Sequence, residues 1–79
     1  MKYIPGTVVT ISNLSKASHF LYKKFLKQSP LLICPCHIKR DKIFTVIDCF
    51  DNGVVLLQLK NSNNLTMVYS KDLTAIYEP

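Results

Sequence analysis

The chain has no tryptophan and only two glycines, and its five acidic residues face ten lysines and arginines. Each shortage excludes something. With Gly6 and Gly53 alone there is no glycine-rich loop to cradle a phosphate. Asp41, Asp48, Asp51, Asp72 and Glu78 are scattered over turns and the terminus, so no carboxylate pair stands out for general acid–base work. No apolar stretch reaches the roughly 18 residues of a membrane span. The longest, Val54 to Leu57 with Leu59, is strand-sized. The opening Met1-Lys2-Tyr3-Ile4-Pro5-Gly6 lacks the apolar run of a secretory leader. An odd set of three cysteines does not make a disulfide framework. The expectation is a cytoplasmic protein that is not an enzyme, stays out of membranes, needs no cofactor and carries reduced, at least partly buried thiols.

What is present fits one domain spanning residues 1–79. Hydrophobic residues make up 48% of the chain, about the globular average, so a core is within reach without staples. Four phenylalanines and four tyrosines supply its bulk. The charge is unevenly spread. Residues 1–42 hold Lys2, Lys16, Lys23, Lys24, Lys27, Lys39, Arg40 and Lys42 against Asp41 alone. Residues 43–79 hold Lys60 and Lys71 against four acids, so the net charge of +5 belongs to the N-terminal half. A basic face of this kind attracts acidic protein surfaces, phosphate backbones or anionic lipid.

Thr7-Val8-Val9-Thr10-Ile11, between Pro5-Gly6 and Ser12-Asn13, has the β-branched content of a first strand. Residues 15–28 predict a helix with Ser15 as N-cap and a stop before Pro30. At 100° per residue, Leu14, Ala17, Leu21 and Phe25 form an apolar stripe, and Lys16, Lys23, Lys24 and Lys27 line the other side. Leu31 to Ile38 has strand-like content interrupted by Pro35 and is expected to be an extended, edge-like connection. Lys42 to Phe50, Val54 to Lys60 and Leu65 to Tyr69 predict an antiparallel meander, with Asp51-Asn52-Gly53 as a tight hairpin and Asn61-Ser62-Asn63-Asn64 as the second turn. Val54-Val55-Leu56-Leu57 is apolar on both faces and demands a cover on both, the second supplied by the helix. Ser70 to Leu73 predicts one helical turn, and Thr74 to Tyr77 a last strand. The fold class is mainly β (α+β), with five short antiparallel strands that close into a small barrel and one amphipathic helix inserted after the first strand.

The stretch Pro5 to Ile11, the hairpin Phe44 to Leu59 and the closing Val68 to Ile76, in which a helical turn precedes the last strand, resemble the SH3-like barrels, especially the small ones of bacteriophages and mobile elements. The likeness covers about two thirds of the chain. It implies an SH3-like barrel and, for such a small module, a phage origin and a host-protein target. Residues 12–38 depart from the pattern, because the simple barrel has a loop where this chain has a basic helix. The clustered aromatics that grip proline-rich peptides are also missing, so that role is not carried over.

Two surface constellations follow. Phe20 falls among Lys16, Lys23, Lys24 and Lys27, so an aromatic ring sits inside a basic stripe. Such a ring plugs a pocket on an acidic partner protein or stacks on a nucleic-acid base. Lys39-Arg40-Asp41-Lys42 extends the basic surface as a charged turn. The partner-binding set is therefore Lys16, Phe20, Lys23, Lys24, Lys27, Lys39, Arg40 and Lys42. The leading expectation is a binding module that inhibits or regulates a host protein. The alternatives are a nucleic-acid-binding accessory protein and a homo-oligomeric structural module.

Cys34-Pro35-Cys36-His37 holds ligand types that zinc uses, but a structural site needs four ligands, and one residue rather than two to four separates the cysteines. Cys49 and His19 alone remain to complete a set, and the expectation is that no metal is bound.

Overall fold

Residues 3–25, 30–38 and 42–79 are described by the structure, a computed structural model. The chain runs β1 (Val8–Ile11), α1 (Lys16–Phe25), a 3-10 turn (Pro35–His37), β2 (Phe44–Cys49), β3 (Val54–Leu59), β4 (Leu65–Tyr69), a second 3-10 turn (Ser70–Asp72) and β5 (Leu73–Tyr77). All five strands join one antiparallel sheet in the order β4-β3-β2-β1-β5. The order of elements and the meander are those expected from the sequence. α1 ends at Phe25 as described, and the expected continuation to residue 28 lies outside the described residues. Among the described residues, no helix is long and apolar enough to cross a membrane.

Alternation builds one core face. Val9 and Ile11 of β1, Phe44 and Val46 of β2, Val55 and Leu57 of β3, Val68 of β4 and Leu73 of β5 are buried together with Tyr3. Cross-strand partners Val55 and Val68 put side chains of neighbouring strands into direct contact on that face. The first meander turn rests on Gly53, whose φ of 85° suits glycine, and on Asn52, whose side-chain oxygen accepts from the Val54 N–H at 3.1 Å. Asn61, with φ of 63°, takes the same left-handed geometry in the second turn.

Two irregularities bend the sheet. In β2 the register jumps between Val46 and Asp48, and the extra residue Ile47 is turned outward. In β5 it jumps opposite Val8 and Val9, and Ile76 is the extra residue, also exposed. The part of β2 before its bulge pairs with β1 on one side and β3 on the other, whereas the part after it pairs with β3 alone.

α1 packs chiefly against β4, one of the two edge strands, and its Phe25 lines a depression with Val54 of β3 and Met67 of β4. The edge of β4 is also met at its start by the connection, through a parallel bridge between Leu32 and Leu65. The Ile33 N–H donates to the Leu65 carbonyl at 2.8 Å, and the Leu65 N–H to the Leu31 carbonyl at 2.9 Å. The connection is thus extended and edge-bound where the sequence implied it, and Pro35 falls past the bridge at the start of the 3-10 turn, where a missing N–H costs nothing.

One buried carboxylate fixes the helix. Asp72 is 2% exposed. Its Oδ2 accepts from the Ser15 N–H at 3.0 Å, the Ser15 hydroxyl at 2.6 Å and the Ser18 hydroxyl at 2.6 Å. Ser15 caps α1, since its Oγ accepts from the Ser18 N–H at 3.2 Å. The Ser18 hydroxyl also accepts from the Tyr69 N–H at 2.8 Å. The Asp72 carbonyl accepts from the N–H groups of Ser12 and Asn13 and from the Ser12 hydroxyl. Because Ser18 is held this way, it faces the sheet beside Leu21, and Ala17, assigned by periodicity to the apolar stripe, is exposed.

Burial pushes the Asp72 carboxyl up, but the hydrogen bonds from Ser15 and Ser18, helped by the charge of Lys71, outweigh it and hold the group below its ordinary value. A group depressed in the folded state stabilises above its unfolded pKa, about 3.9, and that contribution is lost as pH falls through the folded value. Asp72→Ala is expected to lower unfolding free energy by about 2–4 kcal/mol in urea titrations at pH 7. Asp72→Asn should be less damaging, and the gap between it and the wild type should close as the titrations are repeated from pH 5 down to pH 2. A gap independent of pH would mean that the charge contributes nothing.

Candidate functional site

The helix face opposite Ser18 and Leu21 carries the candidate site. Phe20 projects from the middle of α1 and is 60% exposed. Lys23 Nζ lies 5.6 Å from the centroid of its ring, within cation–π range. The His19 ring meets it edge-on, with centroids 6.4 Å apart. Lys16, Lys23 and Lys24 are exposed around it, and α1 contains no acid. Lys24 in turn sits 5.6 Å over the half-buried Phe25 ring. Lys23 and Lys24 fall in the last helical turn, where positive charge also complements the carbonyl end of the helix. Beside Phe20, an open depression of about 490 Å³ is lined by Leu14, Ser15, Lys16, His19 and Phe20.

Of the residues singled out from sequence, the structure brings together Lys16, Phe20, Lys23 and Lys24 on one helix. Lys42 is exposed but lines a separate depression with Ile43, Leu59, Lys60 and Asn61. Lys27, Lys39 and Arg40 lie outside the described residues.

The cysteines sort differently from expectation. All three thiols are free, with Cys34 buried and Cys49 half-buried, but Cys36 is exposed. The 3-10 turn, closed by His37 N–H to Cys34 carbonyl and Ile38 N–H to Pro35 carbonyl bonds of 3.0 and 3.1 Å, folds Cys34 and Cys36 back toward α1. There they meet His19. Its Nδ1 is 3.6 Å from Cys34 Sγ, and the ligand atoms of His19, Cys34 and Cys36 all lie within 4.8 Å of one another. Burial pushes the Cys34 thiol up, and the side-chain hydrogen bond with Cys36 adds to the effect, while a backbone hydrogen bond from Cys36 opposes it. These three residues could hold a metal ion. Neither Cys49, which packs against the core, nor His37 belongs to the group.

Sequence reasoning missed Ser18 and Asp72. A serine in mid-pattern and an acid in a polar turn look like surface residues, and only the pairing of Ser15 as cap with an acid entering β5 carried a signal.

The two helix faces separate in a mutational test. Phe20→Ala should change unfolding free energy by no more than about 0.5 kcal/mol, as for surface sites generally. Leu21→Ala should cost about 2–4 kcal/mol, measured by the same chemical denaturation. Equal losses would mean that Phe20 is a packing residue. Comparison of the chain with protein-family models, with curated proteins and with solved structures finds no match.

Proposed function

We propose that the chain is a small non-enzymatic binding module that docks on an acidic surface of a partner protein through the exposed face of α1. The observation that carries this reading is the 60% exposed Phe20 ring beneath the Lys23 ammonium, on a helix without an acid. An aromatic anchor ringed by cations is the composition of an interface hot spot, in which the ring fills a pocket and the charges steer and align the encounter.

The sheet supports a rigid platform for that helix. Its strand order, the 3-10 turn between β4 and β5 and the bulge that lets β2 serve two neighbours are consistent with an SH3-like barrel. By the resemblance to phage-encoded barrels of this size, the partner is a host protein in the host cytoplasm, and docking inhibits or regulates it.

A protein partner is favoured over nucleic acid by the number of rings. Single-strand binding uses successive stacking platforms along a basic groove. On this face Phe20 is exposed, while its helical neighbours Tyr22 and Phe25 are half-buried.

Affinity capture from host extract should retain a partner on the wild-type chain and lose it, by at least about tenfold, on both Phe20→Ala and the Lys23→Glu, Lys24→Glu pair. Capture unchanged by both variants would remove α1 from the site. Fluorescence anisotropy with single- and double-stranded DNA and RNA at low salt should show no binding. Binding that weakens steeply and log-linearly with salt would replace the protein partner with a nucleic acid.

A further inference from the structure

We propose that His19, Cys34 and Cys36 form a zinc site that pins the connection after α1 back onto the helix. The inference is independent of what the Phe20 face binds.

Three observations carry it. The first is distance. A tetrahedral zinc with Zn–S of about 2.3 Å and Zn–N of about 2.0–2.1 Å places sulfur and nitrogen about 3.5 Å apart and two sulfurs about 3.8 Å apart. Cys34 Sγ and His19 Nδ1 are already 3.6 Å apart, and Cys36 lies inside the same 4.8 Å cluster. A small rotation of the exposed Cys36 side chain completes a trigonal face. The second is independent positioning. His19 directly follows Ser18, which is locked to Asp72 and Tyr69, so the imidazole is presented from a fixed helix. Cys34 and Cys36 are presented from a turn with Pro35 at its first position, and that turn follows the bridge to β4. The three ligands therefore converge by backbone constraint before any ion arrives. The third is donor chemistry. Two thiolates and one imidazole form a soft to borderline set that selects zinc over the hard cations calcium and magnesium.

Binding takes Zn²⁺ and the two thiols to a complex of two thiolates and one imidazole nitrogen, with two protons released to solvent. Among the described residues the cluster supplies three ligands, which leaves the fourth tetrahedral position of the ion to water or another donor. Sequence spacing pointed away from this site, because one residue separates Cys34 and Cys36 where zinc pairs use two to four, although His19 was one of the two residues able to complete a set.

The chain, freshly reduced and freed of metal, should be titrated with Co²⁺ at pH 7 and then competed with Zn²⁺. One equivalent of Co²⁺ should develop the thiolate charge-transfer band and the intense visible bands of a four-coordinate ion, and Zn²⁺ should bleach them. Cys36→Ser and His19→Gln should each weaken binding by at least about 100-fold, and Cys49→Ser should leave it unchanged. Cys36 is exposed, so its replacement is not expected to disturb folding, and circular dichroism of the metal-free variants checks this. Zinc should also raise the melting temperature of the wild type, but not of Cys36→Ser, by at least about 5 °C. No thiolate band in the wild type, or equal cobalt affinity in the wild type, Cys36→Ser and His19→Gln, would overturn the site.

Discussion

The Asp72 carboxylate is the constraint on which the rest of the arrangement depends. It is a buried negative charge with no cation bonded to it among the described residues, and such a group is costly unless its oxygens are met by strong donors. Here they are met at the N-terminus of α1, where an unpaired backbone N–H, two serine hydroxyls and the positive end of the helix dipole converge on one oxygen. The same residue's carbonyl takes the backbone N–H groups that leave β1. A single position at the start of β5 thereby sets where β1 ends, where α1 begins and how α1 is rotated. For a chain of this size, whose total stability is roughly 4–12 kcal/mol, a network of three charge-assisted bonds is a large share.

The rotation of α1 decides what the surface offers. With Ser18 and Leu21 turned inward, Phe20 lies on the opposite face beside Lys23 and His19, and it must face out. Had Ala17 been the inward residue, as hydrophobic periodicity alone implies, the ring would have swung toward one flank. A hydrogen-bonded serine displaced an alanine from the buried face because an alanine methyl gains little by burial, whereas an orphaned buried carboxylate loses several bonds at once. Polar satisfaction overruled apolar patterning at this one turn, and the exposed face is its by-product.

Much of the architecture was legible in the residues. The β-branched run at 7–11, the Asn-Gly turn at 52–53 and the helical turn ahead of the last strand each have a local physical cause, and each appears where that cause puts it. The anchoring of α1 on β4 was not legible, because it depends on Ser18 meeting Asp72 across 54 residues of sequence. Ile47 and Ile76 hid for a related reason. A bulge is a property of two strands in register, so neither strand's own alternation announces it. On the helix surface, Lys16, Phe20, Lys23 and Lys24 could be grouped from angular spacing, since a helix converts sequence distance directly into direction. Lys42 could not be separated from them in the same way, because it lies in the connection just before β2 and its position relative to α1 is a tertiary fact.

The cysteines show the same division in reverse. Read along the chain, one residue between Cys34 and Cys36 falls short of the usual zinc spacing, and the motif looks inert. Read in space, the 3-10 turn shortens that separation and the Ser18–Asp72 anchor brings His19 against it. The connection would then be held at both ends, by β-bridge hydrogen bonds at Leu32 and by a metal at residues 34–36, with the helix as the common wall. In a small domain with no disulfide among the described residues, a tie of that kind supplies what a limited core does not. It would act on α1 through His19, whose ring packs edge-on against Phe20. The carboxylate network orients the helix from its N-terminus, a metal at the cysteine cluster would steady it from the side, and the ring between the lysines is displayed on the helix face turned away from the core.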